Sequence, residues 1–559
     1  MEQSGILKDS SAAGGTDLGT EHPADRYLLR NCRIYDGSGQ GCYPGEILIR
    51  EGRIAAIGRD IKAEACEVID MKDMAVAPGF IDIHRHADLQ PFHWPDSGCE
   101  LMQGITTMIS GNCGFSPFPL LEERMNACKE FVEPLLGRLP EKAAEWTDFD
   151  SFLQAIRKKE LNVNQGTLVG NGILRVAVNG TGDGPVPDRK MRQIEERLKE
   201  ALQHGAFGLS MGLMYAPECY YSEEELGRIC KVAAAYGAVI TVHLRGEGSM
   251  ADASVREVLR LCRSTGAHFH ISHLKAAGRD NWGPPFEKIL DLLYEARLEG
   301  LPVTWDAYPY EAGSTTLTTL LPPWALAGGT EKILERLRDT RCRQKILADL
   351  GKRQSSWDNL VYATGWDRVT LLSGTKAAQI GKNIGELARE NGVPPEEMCL
   401  DILLEDACET GIAFFHMDER DVRKVIGLKE TAVISDSIYS QQGFTHPRST
   451  GTYPKFIQEY VNGRKDFTME EAIRKCTSLP AEYMGIRDRG RICAGYYADI
   501  IAFRPEEFVS RSTYEKPGEL PAGMKYVFVN GRPAVRQGNI VRLDAGRYLT
   551  KERESNDNR

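Results

Sequence analysis

Six residues with metal-binding side chains follow apolar, strand-like segments of this chain. Neutral imidazoles, a thiolate and a carboxylate from different strands are donors that zinc accepts. A metal held in this way activates water for hydrolysis. We therefore predict a metal-assisted hydrolase whose site is formed by His84, His86, Cys113, His243, His273 and Asp436.

His84 and His86 lie two positions apart at the end of the apolar run "APGFID". Side chains at i and i+2 of a strand point to the same face, as two ligands of one metal must. A lone His-x-His pair in a strand is commonly structural. Its place at the end of a strand, where barrel active sites gather, favours metal binding.

Cys113 stands between Asn112 and Gly114 in "GNCGFS". The nearby glycines allow close backbone approach and leave the sulfur accessible. A lone cysteine is commonly a buried thiol. Beside a divalent cation it would be a thiolate ligand.

His243 and His273 end two consecutive strand-like segments, thirty residues apart. Equivalent positions in successive units favour a shared site. By strand alternation, His268 and His270 face away from His273 and are interpreted as structural.

Asp436 ends the segment "TAVISDS" and is the predicted general base and acid, since a carboxylate beside a metal can accept and return a proton. Asp306 is the alternative. It directly precedes "AYPY", which is more typical of a substrate wall.

Basic and phenolic groups accompany the same strand ends. Arg245, Lys275 and Arg448 are candidates to anchor a substrate carboxylate, although each is commonly a solvated charge. Tyr215 and Tyr308 could add hydrogen bonds or walls.

Strands and helices alternate through the centre of the chain, which predicts a (β/α)8 TIM-like metal-dependent hydrolase barrel. Most strand ends are about 30–40 residues apart, the size of one βα unit. The predicted strands lie near residues 77–84, 105–112, 165–171, 206–211, 239–243, 267–273, 302–307 and 431–436.

Other segments surround this barrel. Alternating segments with hairpin signals at Glu51–Gly52 and Asn530–Gly531 predict a small β-sandwich domain built from both chain ends, residues 27–76 plus 486–548. The barrel takes residues 77–485. An insertion after the seventh strand, residues 311–410, is either a lid over the barrel mouth or a surface decoration.

Composition limits the class of protein. The chain has 559 residues, 42% of them hydrophobic, and a formal net charge of −10, which disfavours nucleic acid and anionic membranes as partners. Fourteen scattered cysteines favour reduced thiols and a cytoplasmic setting. The composition of residues 1–26 predicts a disordered tail rather than a signal peptide. No stretch of the sequence is apolar enough to span a bilayer. The oligomeric state is left open.

Several sequence blocks together resemble the N-acyl-D-amino-acid deacylases (D-aminoacylases) of the amidohydrolase superfamily. The resemblance runs from about residue 27 to 548 and is specific as a combination. The blocks are "PGFIDIHRHADL", "GITTMISGNCGFSP", "GAFGLSMGLMYAP", "TVHLRGEG", "ISHLKAAGRDNWG", "TWDAYPYEAGST", "HPRSTGTYP" and "TSLPAEYMGIRDRGRICAGYYADII".

The resemblance implies zinc-dependent hydrolysis of the amide bond of N-acyl-D-amino acids. It implies one tightly bound zinc on Cys113, His243 and His273, and a second, weaker site on His84 and His86 that shares Cys113. It also implies a base at Asp436 and substrate contacts from Lys275, Arg448, Tyr215 and Tyr308.

Four positions depart from the family pattern. Ser437 stands where glycine is usual and Asn171 where histidine is common, while Cys219 and Tyr221 alter a rim loop. None of these changes removes a ligand. They leave the acyl and amino-acid preferences open.

Three alternatives remain at this point. The same site could open cyclic amides such as hydantoins, or cleave dipeptides with a C-terminal D-residue. Cys113 could instead act as a covalent nucleophile with a histidine partner. A barrel retained as a non-catalytic scaffold would be expected to lose ligands, and all six are present.

Overall fold

The computed structural model describes residues 26–93, 98–439 and 443–552. The expected tail at residues 1–26 therefore lies outside the described residues, except for Arg26, which begins the first strand. Among the helices of the described ranges, none combines the length and the apolar character that a bilayer crossing requires.

The strands of the described chain alternate with helices through its centre. In chain order they are β1 (Arg26–Ile34), β2 (Tyr43–Arg50), β3 (Arg53–Gly58), β4 (Glu67–Asp70), β5 (Ala75–Pro78), β6 (Phe80–Asp82), β7 (Arg85–His86), β8 (Ile105–Ser110), β9 (Asn164–Thr167), β10 (Val169–Gly170), β11 (Gly208–Gly212), β12 (Val239–His243), β13 (His268–Ile271), β14 (Val303–Ala307), β15 (Gly313–Thr316), β16 (Val369–Leu371), β17 (Gly411–Phe414), β18 (Thr431–Val433), β19 (Ser437–Ile438), β20 (Ile500–Phe503), β21 (Met524–Val529), β22 (Arg532–Arg536) and β23 (Asn539–Ile540).

The helices of the same ranges include both barrel helices and those of an insertion. They are α1 (Gln90–His93), α2 (Cys99–Met102), α3 (Met125–Leu136), α4 (Phe149–Ile156), α5 (Asn171–Asn179), α6 (Asp188–Gln203), α7 (Glu223–Ala235), α8 (Ala251–Thr265), α9 (Pro284–Leu298), α10 (Pro323–Leu326), α11 (Thr330–Arg338), α12 (Thr340–Leu350), α13 (Leu360–Thr364), α14 (Ile384–Asn391), α15 (Pro395–Glu405), α16 (Glu419–Gly427), α17 (Arg448–Phe456), α18 (Met469–Cys476) and α19 (Ser478–Met484).

A parallel barrel lies at the centre of the molecule, as the alternation of strands and helices predicts. Its eight strand positions are β6, β8, β9 with β10, β11, β12, β13, β14 and β18. The third position is interrupted at Leu168, so β9 pairs with β8 and β10 pairs with β11. The strands are buried along their length, as expected when helices cover the outside of a barrel.

The barrel closes between its first and last strands by a short detour. β7 pairs in parallel with β19, with Arg85 opposite Ser437. The backbone amide of Asp436 donates to the carbonyl of His84 at 2.9 Å. This closure brings the end of the eighth strand next to the two histidines of the first.

The first predicted strand, residues 77–84, is divided between two sheets. β5 pairs with β1 and β20 in the terminal sheet, and β6 pairs with β8 in the barrel. Gly79 lies at the crossing, where an added Cβ would stand 2.1 Å from the Thr106 hydroxyl oxygen. Only a glycine permits this approach of the two sheets.

Strands from the two chain ends pair into one sheet. A nine-stranded sheet runs β23-β22-β21-β20-β5-β1-β2-β3, with β4 beside β1. Alternate residues face different cores: Ile500 and Ala502 join the domain's own core, whereas Ile501 and Phe503 pack on the barrel. Positive φ at Asn530 and Gly531 confirms the tight hairpin expected between β21 and β22.

An inserted subdomain separates the seventh and eighth barrel strands. It contains the small antiparallel sheet β15-β17-β16 and helices α10 to α15, and it has its own apolar core. Its ordered elements span residues 313–414, close to the expected range of 311–410.

Candidate metal centre and active site

The carboxyl ends of the barrel strands bring the six predicted residues into one buried cluster. Three of them, Cys113, His273 and Asp436, have positive φ angles of 52°, 38° and 49°. Non-glycine residues rarely adopt this conformation, which is concentrated at functional sites. Each of these three residues departs from strand geometry, and its side chain lies among the donor groups of the cluster.

The donor atoms of this cluster lie within coordinating reach of one another. Sγ of Cys113 is 3.3 Å from Nε2 of His84 and 3.5 Å from Nε2 of His273. Nε2 of both His84 and His86 is 3.4 Å from Oδ1 of Asp436. His243 joins through its ring, whose centroid is 4.5 Å from that of His273.

This donor set fits zinc. At zinc–sulfur and zinc–nitrogen bond lengths of about 2.3 and 2.1 Å, two donors on one tetrahedral ion are about 3.4–3.6 Å apart. The separations around Cys113, 3.3 and 3.5 Å, are close to these values. Both ring nitrogens of the buried His243 also have no hydrogen-bond partner among the described residues. Buried polar atoms are normally paired, so this ring is oriented for a ligand outside the protein chain.

The surroundings of Cys113 favour its thiolate. Burial opposes the charged form, but the positive charge of His84 and the imidazoles that surround the sulfur hold the pKa of Cys113 well below its usual range. A thiolate is the form that binds a metal.

Asp436 is held by a buried cation. Nη1 of Arg448 lies 2.9 Å from Oδ2 of Asp436, and the Arg448 side chain is fully buried. Burial opposes the charged carboxylate, but Arg448 and His84 keep the pKa of Asp436 well below its usual range. The carboxylate is therefore ionised at neutral pH and can accept a proton.

Glu247 is a site residue that the sequence reasoning missed. Its Oε1 lies 3.1 Å from Nδ1 of His273 and 2.6 Å from Nζ of Lys275, and Lys275 also approaches His273 at 2.7 Å. A carboxylate behind a ligating histidine fixes the ring and raises its basicity. The signal was present in the block "TVHLRGEG", four residues beyond His243.

His270 also belongs to the support of this site, which corrects the alternation argument. Its Nε2 donates to Oδ2 of Asp306 at 2.9 Å, and the same oxygen lies 3.7 Å from Nδ1 of His84. The backbone amide of His273 donates to Oδ1 of Asp306. His273 lies beyond the end of β13 and has a positive φ, so the alternation of side chains along the strand does not determine where His273 points relative to His270. Asp306 is a buried anchor for two histidines.

Three of the four predicted substrate residues line a cavity of about 540 Å³ above the cluster, a volume that includes its open mouth, whereas Arg448 is fully buried beside the Tyr308 ring. The three that line the cavity are Tyr215, Tyr308 and Lys275. The Tyr308 ring lies between two cations, 5.9 Å from Nζ of Lys275 and 4.8 Å from the Arg448 guanidinium carbon. Arg245 is directed elsewhere, since it pairs with Glu257 at 2.9 Å.

His416 is a second residue that the sequence reasoning missed. It follows β17 in the inserted subdomain, lines the same cavity and is only 6% exposed. Neither ring nitrogen has a hydrogen-bond partner among the described residues. Nothing in the sequence pattern marks it, because it is reached only through the fold of the insertion.

The departures from the family pattern lie around the cluster without replacing a ligand. Asn171 is buried and donates to Oε2 of Glu218 at 2.8 Å. The other oxygen of Glu218 accepts from the amide of Gly212 at 3.0 Å. Ser437 donates its backbone amide to the Ser435 hydroxyl, and Tyr221 lies beneath the Arg175 guanidinium.

Comparison with known proteins identifies the family. Residues 67–350 and 430–535 match the amidohydrolase family. An N-acyl-D-glutamate deacylase of Alcaligenes xylosoxydans xylosoxydans is 32% identical over 92% of this chain and 95% of its own. A D-aminoacylase of the same organism is 29% identical over 94% of this chain and 97% of its own.

A solved structure shares the whole architecture. The N-acyl-D-glutamate deacylase of Bordetella bronchiseptica, in complex with zinc and a phosphonate mimic of the tetrahedral intermediate, superposes with a TM-score of 0.78 at 27% identity. The alignment covers 94% of this chain and 99% of that one. The expected fold class is confirmed. The chain belongs to the amidohydrolase family, among its N-acyl-D-amino-acid deacylases.

Proposed function

We propose that the protein is a zinc-dependent N-acyl-D-amino-acid deacylase, which converts its substrate to a carboxylate and a free D-amino acid. The convergence of Cys113, His84 and His273 at donor distances typical of zinc carries this proposal. The D-aminoacylase and D-glutamate deacylase that it resembles support the choice of bond and substrate.

The metal ligands are proposed residue by residue. Cys113, His243 and His273 would hold one zinc tightly, and His84 and His86 would offer, with Cys113, a second and weaker position. When bound, zinc lowers the pKa of a water ligand to about 7 and polarises the amide carbonyl. The presence of zinc in the related Bordetella bronchiseptica enzyme supports the metal's identity.

Asp436 is the proposed general base and acid. It takes the proton of the attacking water and then delivers a proton to the departing amine. The ion pair with Arg448, at 2.9 Å, fixes the orientation of the carboxylate for this task.

Substrate binding is assigned to three residues that line the cavity, Lys275, Tyr308 and Tyr215, and to Arg448 behind Tyr308. Lys275 and Arg448 attract the substrate carboxylate from the side of the sixth and eighth strands, and Tyr308 lies between them. Tyr215 forms the opposite wall, with its ring 4.9 Å from that of His243. The inserted subdomain acts as a lid, a role supported by Ser314, Phe414 and His416 in the cavity wall.

The cysteines bear on the proposed cellular location of the protein. All fourteen cysteines, which fall within the described ranges, are free. Reduced cysteines support a cytoplasmic location.

A substrate panel combined with metal quantification tests the function. Zinc-loaded protein is assayed with matched N-acetyl-D- and N-acetyl-L-amino acids, D-terminal dipeptides and hydantoins. Release of free amino acid from the N-acyl-D substrates, at least tenfold faster than from the others, is the expected result. Preferential opening of hydantoins, or protein that binds no zinc, would overturn the proposal.

A further inference from the structure

A second space, which we call the apolar chamber, adjoins the active-site cavity. It encloses about 860 Å³, counting its open mouth. Leu135, Met214, Tyr215 and Thr319 line both the active-site cavity and the chamber, so the two are adjacent. Its apolar wall includes Ala127, Phe131, Leu135, Met214, Leu326 and Ile333.

A row of aromatic rings leads from the metal centre into this chamber. The Tyr215 ring lies 4.9 Å from the His243 ring and 5.2 Å from the Phe115 ring. Phe115 stacks in turn on Phe131 at 4.6 Å. A chain that enters beside His243 therefore passes along carbon surface, which favours apolar groups.

The charged group of the chamber lies at its outer end. Glu130 is exposed, and its carboxylate accepts a hydrogen bond from the backbone amide of Thr330 at 3.1 Å. This contact joins α3 to the inserted subdomain. Glu130 is the charged side chain of this lining, and the other described residues that line the chamber are uncharged, either apolar or, like Thr318 and Thr319, hydroxyl-bearing.

A third space, next to the same cavity, has a different character. It is lined by Arg138, Glu133, Glu409 and Thr375, among others, and shares Ser314 and Thr315 with the active-site cavity. Arg138 pairs with both Glu133 and Glu409 at 2.7 Å. An apolar chain placed there would desolvate these charges, whereas the charged residue of the apolar chamber, Glu130, lies at its exposed outer end.

The order of the barrel strands indicates which part of a bound substrate would contact the apolar chamber. Phe115 and Met214 follow the second and fourth barrel strands, β8 and β11. Lys275 and Arg448 follow the sixth and eighth, on the far side of an eight-stranded barrel. A substrate whose carboxylate faces the cations, with its amide at the metal centre, therefore directs its acyl group toward the chamber.

We propose that the apolar chamber binds the acyl chain, so that the enzyme acts on N-acyl-D-amino acids with medium-length or aromatic acyl groups in preference to N-acetyl compounds. This inference depends on the proposed deacylase function. Phe131, Leu326 and Ala127 determine the specificity for acyl length.

An acyl-length series tests the proposal on the zinc-loaded full chain. One D-amino acid is offered with acetyl, butanoyl, hexanoyl and octanoyl groups. kcat/KM is expected to rise with length, by up to about fourfold for each buried methylene. A flat or falling series, with acetyl turnover intact, would overturn the chamber and leave the deacylase function standing.

Filling the chamber gives the matched variants. Ala127→Trp places an indole on the chamber face of α3 and should lower kcat/KM for the octanoyl substrate at least tenfold, while acetyl turnover stays within about twofold. Asn126→Trp, on the adjacent exposed position of the same helix, is the control and should change neither. Leu326→Asn provides a second test if Ala127→Trp fails to fold.

A binding measurement separates the chamber from the reaction. Calorimetry with octanoate and acetate as probes needs no turnover. The zinc-loaded protein should bind octanoate at least tenfold more tightly than acetate, and Ala127→Trp should remove the difference. Octanoate binding that persists in Ala127→Trp would contradict the proposal even if no N-acyl substrate is hydrolysed.

Discussion

The carboxylate of Glu247 lies 3.1 Å from Nδ1 of His273, whose Nε2 faces Sγ of Cys113 at 3.5 Å. One nitrogen of the His273 ring thus contacts a buried carboxylate, and the other contacts a proposed metal ligand. Such a carboxylate fixes the orientation of the ring and increases the donor strength of its other nitrogen. Burial opposes the charge of Glu247, but Lys275, His243 and His273 hold the pKa of Glu247 well below its usual range.

Glu247→Gln should therefore weaken the metal centre while every proposed ligand remains. We expect zinc affinity or turnover to fall about 10- to 100-fold. Zinc titration with a competing chromophoric chelator measures the change. Glu257→Gln is the matched control, because Glu257 pairs with Arg245 and does not line the cavity. An unchanged zinc affinity and turnover in Glu247→Gln would show that the contact is incidental.

Metal removal separates zinc hydrolysis from the thiol alternative. With zinc withdrawn by a strong chelator, activity should fall more than about 100-fold and return when zinc is added. The melting temperature should also fall, because ligand binding to the folded state stabilises it. A covalent Cys113 nucleophile would instead retain activity in the chelator.

The proposed ligands were accessible from the sequence because barrel topology gathers strand ends. His84, His243 and His273 needed only their strands to be recognised, since parallel strands end at one face. The supporting residues were not accessible in this way. Strand alternation could not place His270 relative to His273, because β13 ends at Ile271 and His273 follows in a turn with positive φ.

The rest of the fold shows the same limit. The terminal hairpins at Glu51–Gly52 and Asn530–Gly531 depend on local turn chemistry, and both turns have the positive φ that their sequences favour. Residues 75–82 are divided between two sheets because β5 and β6, on either side of Gly79, pair with strands that are distant in sequence. No local sequence pattern predicts this division. His416 enters the cavity only after about a hundred residues of insertion have folded.

Asp436→Asn tests the general base. The substitution keeps the shape of the side chain but removes its proton acceptor, so kcat should fall about 100- to 10,000-fold. Zinc content, measured by mass spectrometry, should remain within a factor of two of wild type. Ser437→Gly is the neighbouring control and should retain turnover within a few-fold. Near-normal kcat in Asp436→Asn would assign the proton transfer to another group.

Two histidines, the half-buried His268 and the buried His416, should make the fold sensitive to acid. Burial, reinforced by the charge of His270, lowers the pKa of His268 to about 4, and burial together with Lys275 lowers that of His416 to about 3. Unfolded histidines titrate near 6.5, so below that pH the unfolded state binds more protons than the folded state. This contribution to stability is complete above about pH 6.5 and is lost as the pH falls toward 4 and 3.

The measurement is denaturant unfolding at a series of pH values. Each histidine contributes a slope of at most about 1.4 kcal/mol per pH unit between pH 6 and 4. His268→Gln, which keeps a polar group near the Thr304 hydroxyl that now lies 3.0 Å away, should reduce this slope. An identical slope in wild type and His268→Gln would show that other groups dominate acid unfolding.

His416→Phe tests whether the inserted subdomain contacts the substrate. The His416 ring is buried in the cavity wall with both nitrogens unpaired among the described residues, 4.8 Å from the Phe414 ring. Phenylalanine keeps the ring packing and removes both polar atoms. Since no intramolecular hydrogen bond of the ring is lost, the melting temperature and zinc content should change little. A hydrogen bond to a charged substrate group is worth about 10- to 100-fold, so KM should rise by that factor with a smaller change in kcat.

Phe415→Leu alters the neighbouring ring, which packs on Tyr514, and is the control for loop disturbance. Equal effects of the two substitutions on KM would assign His416 to packing, whereas an effect confined to His416→Phe would place an imidazole of the insertion in contact with the bound substrate.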